Sequence, residues 1–154
     1  MPRSEQYDGL DEPQKRGQAT EAIVTAELIA RDVSVLTPAY DNEPYDLVAE
    51  IGGEFYRFQV KTAYDGKRDG AVVFRTRSVR TKSEGYEREG YEGKIDYFAA
   101  FNVGEDEVYL VPIEDAGATT TSIRYEPPAN NNRASVNWHT EYLLDTVLGR
   151  LRSG

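Results

Sequence analysis

The chain has 154 residues, 39% of them hydrophobic and 11% aromatic, which is enough for one domain with its own core. Its formal charge is −9, from 27 acids against 18 lysines and arginines, and it has no cysteine, so disulfides and thiolate metal sites are excluded. No apolar run is long enough to span a membrane, and the polar N-terminus carries no secretory pattern; the expectation is a cytoplasmic protein. Thirteen arginines against five lysines on an acidic chain point to a halophilic source, an ordinary acidic protein being the alternative. Acidity argues against a nucleic-acid partner, because counterion release needs Lys and Arg. That argument weakens here: Arg75, Arg77, Arg80 and Lys82 follow one another without an intervening acid, and high salt screens repulsion from acids elsewhere.

Residues 1–10 are polar and expected to fray, leaving a single domain over 11–150. Residues 11–32 read as a helix. Asp11 and Gln14 resemble a capping box, Pro13 suits the first turn, and Ala19, Ala22, Ile23, Ala26, Ile29 and Ala30 recur at helical spacing. Residues 33–36 form a short strand, followed by a polar connection through Asp41, Asn42 and Glu43. These three lack the spacing of a calcium loop.

Two alternating runs, 45–51 and 54–61, flank Gly52-Gly53. Both glycines can take positive φ at little steric cost, so a tight hairpin is predicted with Ile51 facing Glu54. The register then sets Asp46 opposite Gln59, and Lys61 shares that face because side chains alternate along a strand. Leu47, Ala49, Tyr56, Phe58 and Val60 make the other, apolar face. Residues 71–79 alternate as one strand, with Arg75 and Arg77 on the same face. Residues 81–93, rich in Gly, Glu and Tyr, read as a loop. Runs over 95–103 and 108–113 form a second hairpin around Gly104-Glu105-Asp106. Residues 115–133 read as irregular, and 135–148 as a terminal helix with Leu143, Leu144, Val147 and Leu148 as its apolar stripe. Helix, strands, helix make an α/β domain with one mixed central sheet flanked by helices.

The chemistry gathers at the open end of the glycine hairpin. A carboxylate (Asp46), an amide oxygen (Gln59) and an ammonium (Lys61) converge there. Such a set can hold a divalent metal beside a positive charge, as phosphodiester hydrolysis requires. The plain alternative is a surface ion pair on an ordinary hairpin, worth about 0–1 kcal/mol. Glu21, on the preceding helix, adds a second acid.

Gly17-x-x-x-Glu21, Pro44-Tyr45-Asp46 and Gln59-Val60-Lys61 together resemble the PD-(D/E)XK nuclease superfamily over residues 17–61, about a third of the chain. Gly93-Lys94-Ile95-Asp96-Tyr97-Phe98 and Val108-Tyr109-Leu110-Val111-Pro112 are similar to small members of the archaeal Holliday junction resolvase-like and group I intron homing endonuclease branches. The sequence departs from the common pattern in two ways: Gln59 stands where a second acid is usual, a Gln-x-Lys form, and Tyr45 separates the Pro from the Asp. Glutamine still offers an oxygen but no charge, so metal affinity falls.

The resemblance implies a restriction-endonuclease-like fold and a Mg²⁺-dependent DNA endonuclease, with Mn²⁺ as a substitute ion and a homodimer as the default assembly. It implies Asp46, Gln59 and the Val60 carbonyl as metal ligands. Lys61 orients or deprotonates the attacking water or stabilises the phosphorane, and Glu21 positions a water or holds Lys61. A nuclease-fold protein that binds nucleic acid without cutting, and an acidic protein-interaction domain, are the alternative functions.

Arg75, Arg77, Arg80 and Lys82 are candidate phosphate contacts, or a charged edge strand. Tyr86 and Tyr91 are candidate base-stacking residues, or loop anchors. Asp96 reads as a structural hydrogen-bond partner. His139, the only histidine, sits beside Trp138 and argues against a histidine triad or a zinc site.

Overall fold

The computed structural model describes residues 1–66, 69–82, 85–127 and 136–154, with the backbone alone over 78–82 and 85–89. The N-terminal residues, expected to fray, hold helix α1 (Arg3–Asp8), which buries Tyr7 against Phe101. The Tyr7 hydroxyl meets Thr20 Oγ1 at 2.7 Å, and Thr20 meets Thr62 Oγ1 at 2.6 Å. This hydroxyl chain ties α1 and α2 (Pro13–Ala30) to strand β3 (Glu54–Asp65).

Pro13 opens α2 as predicted, but Glu12 is the N-cap and no side chain caps the helix. The buried stripe of α2 is Thr20, Val24 and Leu28; Ala22, Ala26, Ile29 and Ala30 face outward. Alanines surround this helix, so small apolar residues do not single out a face. The larger Val24 and Leu28 decide it, because burial free energy follows apolar area.

A seven-stranded mixed sheet is organised around β3. One edge of β3 pairs antiparallel with β2 (Leu47–Ile51) over its first residues and with β4 (Ala71–Arg75) at Tyr64 and Asp65. Its other edge pairs parallel with β7 (Tyr97–Asn102) from Phe58 to Ala63. Strand β1 (Ser34–Leu36) extends the sheet beyond β2, β8 (Glu107–Pro112) beyond β7, and β9 (Thr120–Arg124) beyond β4. The Gly52-Gly53 turn has φ of 61° and 83°, a two-glycine turn in the left-handed region, and sets Ile51 opposite Glu54 as predicted.

The sheet is covered on both sides. On one side α1, α2 and α3 (Leu144–Ser153) pack on Leu47, Phe58, Val60, Ala99, Phe101 and Leu110. On the other, Phe74, Tyr91, Ile95, Phe98, Tyr109 and Ile123 form a second core. The Phe98–Phe101 run is apolar without alternation because β7 is buried on both faces.

Four further expectations from the sequence are corrected. The strand read over 71–79 breaks at Thr76, whose N–H and hydroxyl turn to the carbonyls of Thr119 and Gly117. Arg75 therefore closes β4 and Arg77 opens β5 (Arg77–Lys82), and the two do not share a strand face. The segment read as a loop contains β6 (Gly85–Gly90), paired with β5. The terminal helix starts at Leu144, not near 135: the backbone of Asn137 bonds to Arg124, and that of Tyr142 to Leu110, which ties both ends of 137–143 to the sheet with a single 3-10 turn, His139–Glu141, between them. Likewise β9 forms within the stretch read as irregular. Among the described residues no helix is long and apolar enough to cross a membrane.

Candidate active site

Strand β3 creates an opening in the sheet. Pairing with β2 ends at Leu47–Phe58, and pairing with β4 begins at Tyr64–Val73. Between them, one edge of β3 has no neighbouring strand among the described residues, and Asp46 stands beside this gap. The ladder keeps the predicted register as far as Leu47–Phe58, and Asp46 stands just past its end, where its N–H donates to the Phe58 carbonyl at 2.8 Å. The Asp46 carboxylate accepts the Val60 N–H through Oδ2, also at 2.8 Å. A strand residue offers its N–H and C=O to the same edge, so the Val60 carbonyl faces this gap too.

Glu21, Asp46, Gln59 and Lys61 are all half-buried. Burial raises the proton affinity of Asp46, opposed by the Val60 bond and by Lys61. Burial likewise raises Glu21, and the negative charge of Asp46 raises it further, with Asp41 adding to the effect. Burial lowers Lys61; Asp46 opposes that change and Arg75 reinforces it. Asp46, on a loop, is therefore within electrostatic range of both Glu21 on a helix and Lys61 on a strand. Gln59 adjoins them on the face of β3 that carries Lys61.

Two carboxylates, one amide oxygen and one carbonyl make an all-oxygen donor set. This is the ligand chemistry of hard divalent ions, and the charge conflict between Glu21 and Asp46 is what a cation relieves. Among the described residues no group of three His, Cys, Asp or Glu gathers as a metal site. The Gln59 oxygen, the Val60 carbonyl and water are the further donors available to an ion here.

The other candidates divide. Arg75 and Arg77 are exposed, and Arg75 is close enough to act on Lys61. The side chains of Arg80, Lys82 and Tyr86 lie outside the described residues. Tyr91 is not an exposed stacking residue: it is 7% exposed, edge-on to Phe98 at 5.4 Å, and its hydroxyl lies 3.5 Å from Lys61 Nζ. Nothing in the local sequence marks this contact, because 30 residues separate the two. Asp96 binds Arg57 through both its backbone and its guanidinium, as befits a structural partner.

The PD-(D/E)XK endonuclease family model matches residues 11–145. The solved structure of a bacterial homing endonuclease, I-Ssp6803I, aligns with a TM-score of 0.72 at 19% identity, over 93% of this chain and 99% of that one. The likeness is one of fold, the restriction-endonuclease-like mixed sheet flanked by helices. No curated protein matches the chain. The match across most of its length shows that the chain belongs to the PD-(D/E)XK endonuclease family.

Proposed function

We propose that this protein is a Mg²⁺-dependent DNA endonuclease whose site is built on Glu21, Asp46, Gln59 and Lys61. The observation that carries this reading is the carboxylate of Asp46 seated on the Val60 amide in the gap beside β3, with Lys61 and Glu21 in electrostatic range. Asp46, Gln59 and the Val60 carbonyl would hold Mg²⁺, or Mn²⁺ in its place. When bound, the ion polarises the scissile phosphate and favours ionisation of water.

The side chains do the rest. Lys61 places a positive charge where the pentacovalent phosphate gathers negative charge. Its proton affinity, lowered by burial, also suits it to taking a proton from the attacking water. Glu21 orients that water. The exposed Arg75 and Arg77 would meet backbone phosphates, and Arg80 and Lys82 continue the basic run in sequence. A homodimer would present one such site to each strand of a duplex.

Gln59 in place of a second acid favours a second reading, a nuclease fold that binds DNA without cutting it. Labelled duplex, four-way-junction and single-stranded DNA, incubated with Mg²⁺ or EDTA over a KCl series, separates the two. Mg²⁺-dependent cutting that is lost in Asp46→Ala supports the nuclease. Binding without cutting supports the silent binder. Neither binding nor cutting removes both and leaves an acidic interaction domain.

A further inference from the structure

Lysine carries its charge on a flexible four-carbon stem, so a lysine that must meet one phosphate oxygen needs something to fix its rotamer. Here the group in contact with the end of that stem is Tyr91. Lys61 Nζ donates a long hydrogen bond to the Tyr91 hydroxyl at 3.5 Å and lies 5.3 Å from the ring centroid. The ammonium thus sits toward the hydroxyl end of the ring, within cation–π range. The ring itself is held: it is buried, packs edge-to-face on Phe98 at an interplanar angle of 87°, and its carbonyl accepts the Lys94 N–H at 2.9 Å. Phe98 lies on β7 directly beside Gln59 of β3 in the parallel ladder. Tyr91 therefore rests on the same strand pair that carries the site.

We infer that Tyr91 is a positioning residue for the reaction: its buried ring and hydroxyl hold the Lys61 ammonium in the gap beside Asp46. The inference rests on the nuclease reading and on the place of Lys61 in it. It replaces base stacking as the role of Tyr91, because a ring that is 7% exposed offers too little surface to a base. Tyr91 acts through Lys61, so its effect is expected on the maximal rate and not on binding.

The test measures single-turnover cleavage at saturating DNA, together with the Kd for DNA, in the wild type, Tyr91→Phe, Tyr91→Leu and Lys61→Ala. Tyr91→Phe keeps the ring and its contact with Phe98 and removes only the hydroxyl. The maximal rate is expected to fall on the order of tenfold in Tyr91→Phe and on the order of a hundredfold in Tyr91→Leu, where the lysine is no longer held. Kd and the Mg²⁺ concentration for half-maximal rate stay unchanged in both. If Tyr91→Leu fails to fold, the isosteric Tyr91→Phe decides alone.

A raised Kd with an unchanged maximal rate overturns the inference in favour of base contact. Wild-type rates in the Tyr91 variants beside an inactive Lys61→Ala overturn it while sparing the nuclease reading. A fully active Lys61→Ala overturns the role of Lys61 itself.

Discussion

Asp46 accepts the backbone amide of Val60 at 2.8 Å, so one carboxylate oxygen is committed to holding the gap beside β3. The carboxylate has a structural task beside the chemical one proposed for it, and two substitutions separate them. Asparagine keeps an oxygen for Val60 and loses the charge; alanine loses both. Asp46→Ala is expected to be less stable than Asp46→Asn by about 1–3 kcal/mol, the cost of an unmet buried amide. Both should be inactive. Urea unfolding in EDTA measures the difference, and equal stability would remove the structural role of the Val60 bond.

Glu21 is expected to lower stability in the metal-free protein. Burial and then Asp46 raise its proton affinity above the ordinary value of 4.5. The sign follows from linkage: with the folded-state pKa above the unfolded one, stability is greatest below 4.5 and is lost as pH rises through the folded pKa. At neutral pH the ionised Glu21 therefore opposes folding, and Glu21→Gln should raise the Tm in EDTA. The gain should vanish below pH 4.5, where both states are protonated, and Mg²⁺ should narrow it by relieving the repulsion in the wild type. A lower Tm for Glu21→Gln at neutral pH would contradict this account.

Asp96 behaves in the opposite way. Burial alone would raise its pKa, but bonds from the Arg57 side chain and backbone outweigh that effect and hold it below the ordinary 3.8. Its contribution is present above 3.8 and is lost as pH falls through the folded pKa. The pair is over a third exposed on the Arg57 side, so solvent screening keeps the value of Asp96→Asn near about 1 kcal/mol. Denaturant midpoints at neutral and acidic pH should show the loss shrinking in acid, with cleavage little changed.

The glycine turn offers a test of packing independent of catalysis. Gly52 has φ of 61°, and a Cβ there would lie 2.8 Å from the Leu151 carbonyl oxygen of α3. At Gly53 the same atom would meet nothing within 4 Å, although φ is 83°. Gly53→Ala should cost about 1–2 kcal/mol from backbone conformation alone. Gly52→Ala should cost more, because the hairpin tip must also move away from α3. Equal Tm losses would mean that the tip and α3 do not constrain each other.

Local rules made the central part of the fold legible. Two adjacent glycines between alternating runs determine a turn and hence a register, and the register leads to Asp46, Gln59 and Lys61. The β7–β8 hairpin follows from the same kind of signal. What stayed hidden depends on partners far along the chain. Thr76 ends a strand because Thr119 and Gly117 take its polar groups, and no periodicity in 71–79 announces that. The apolar stripe at Leu143, Leu144, Val147 and Leu148 suggests a helix from 135, but the backbone of 137–143 bonds to Arg124 and Leu110. Tyr91 sits among glycines and glutamates, which read as a loop; only the folded sheet brings it under Lys61.

The central claim is that Asp46 and Gln59 hold the divalent ion that DNA cleavage requires. Mn²⁺ binding followed by electron paramagnetic resonance, with and without duplex DNA, tests it in the wild type, Asp46→Asn and Gln59→Ala. The account predicts one site per chain that tightens when DNA is present, is lost in Asp46→Asn and is weakened in Gln59→Ala. Equal Mn²⁺ occupancy in all three proteins would contradict it and place the ion elsewhere.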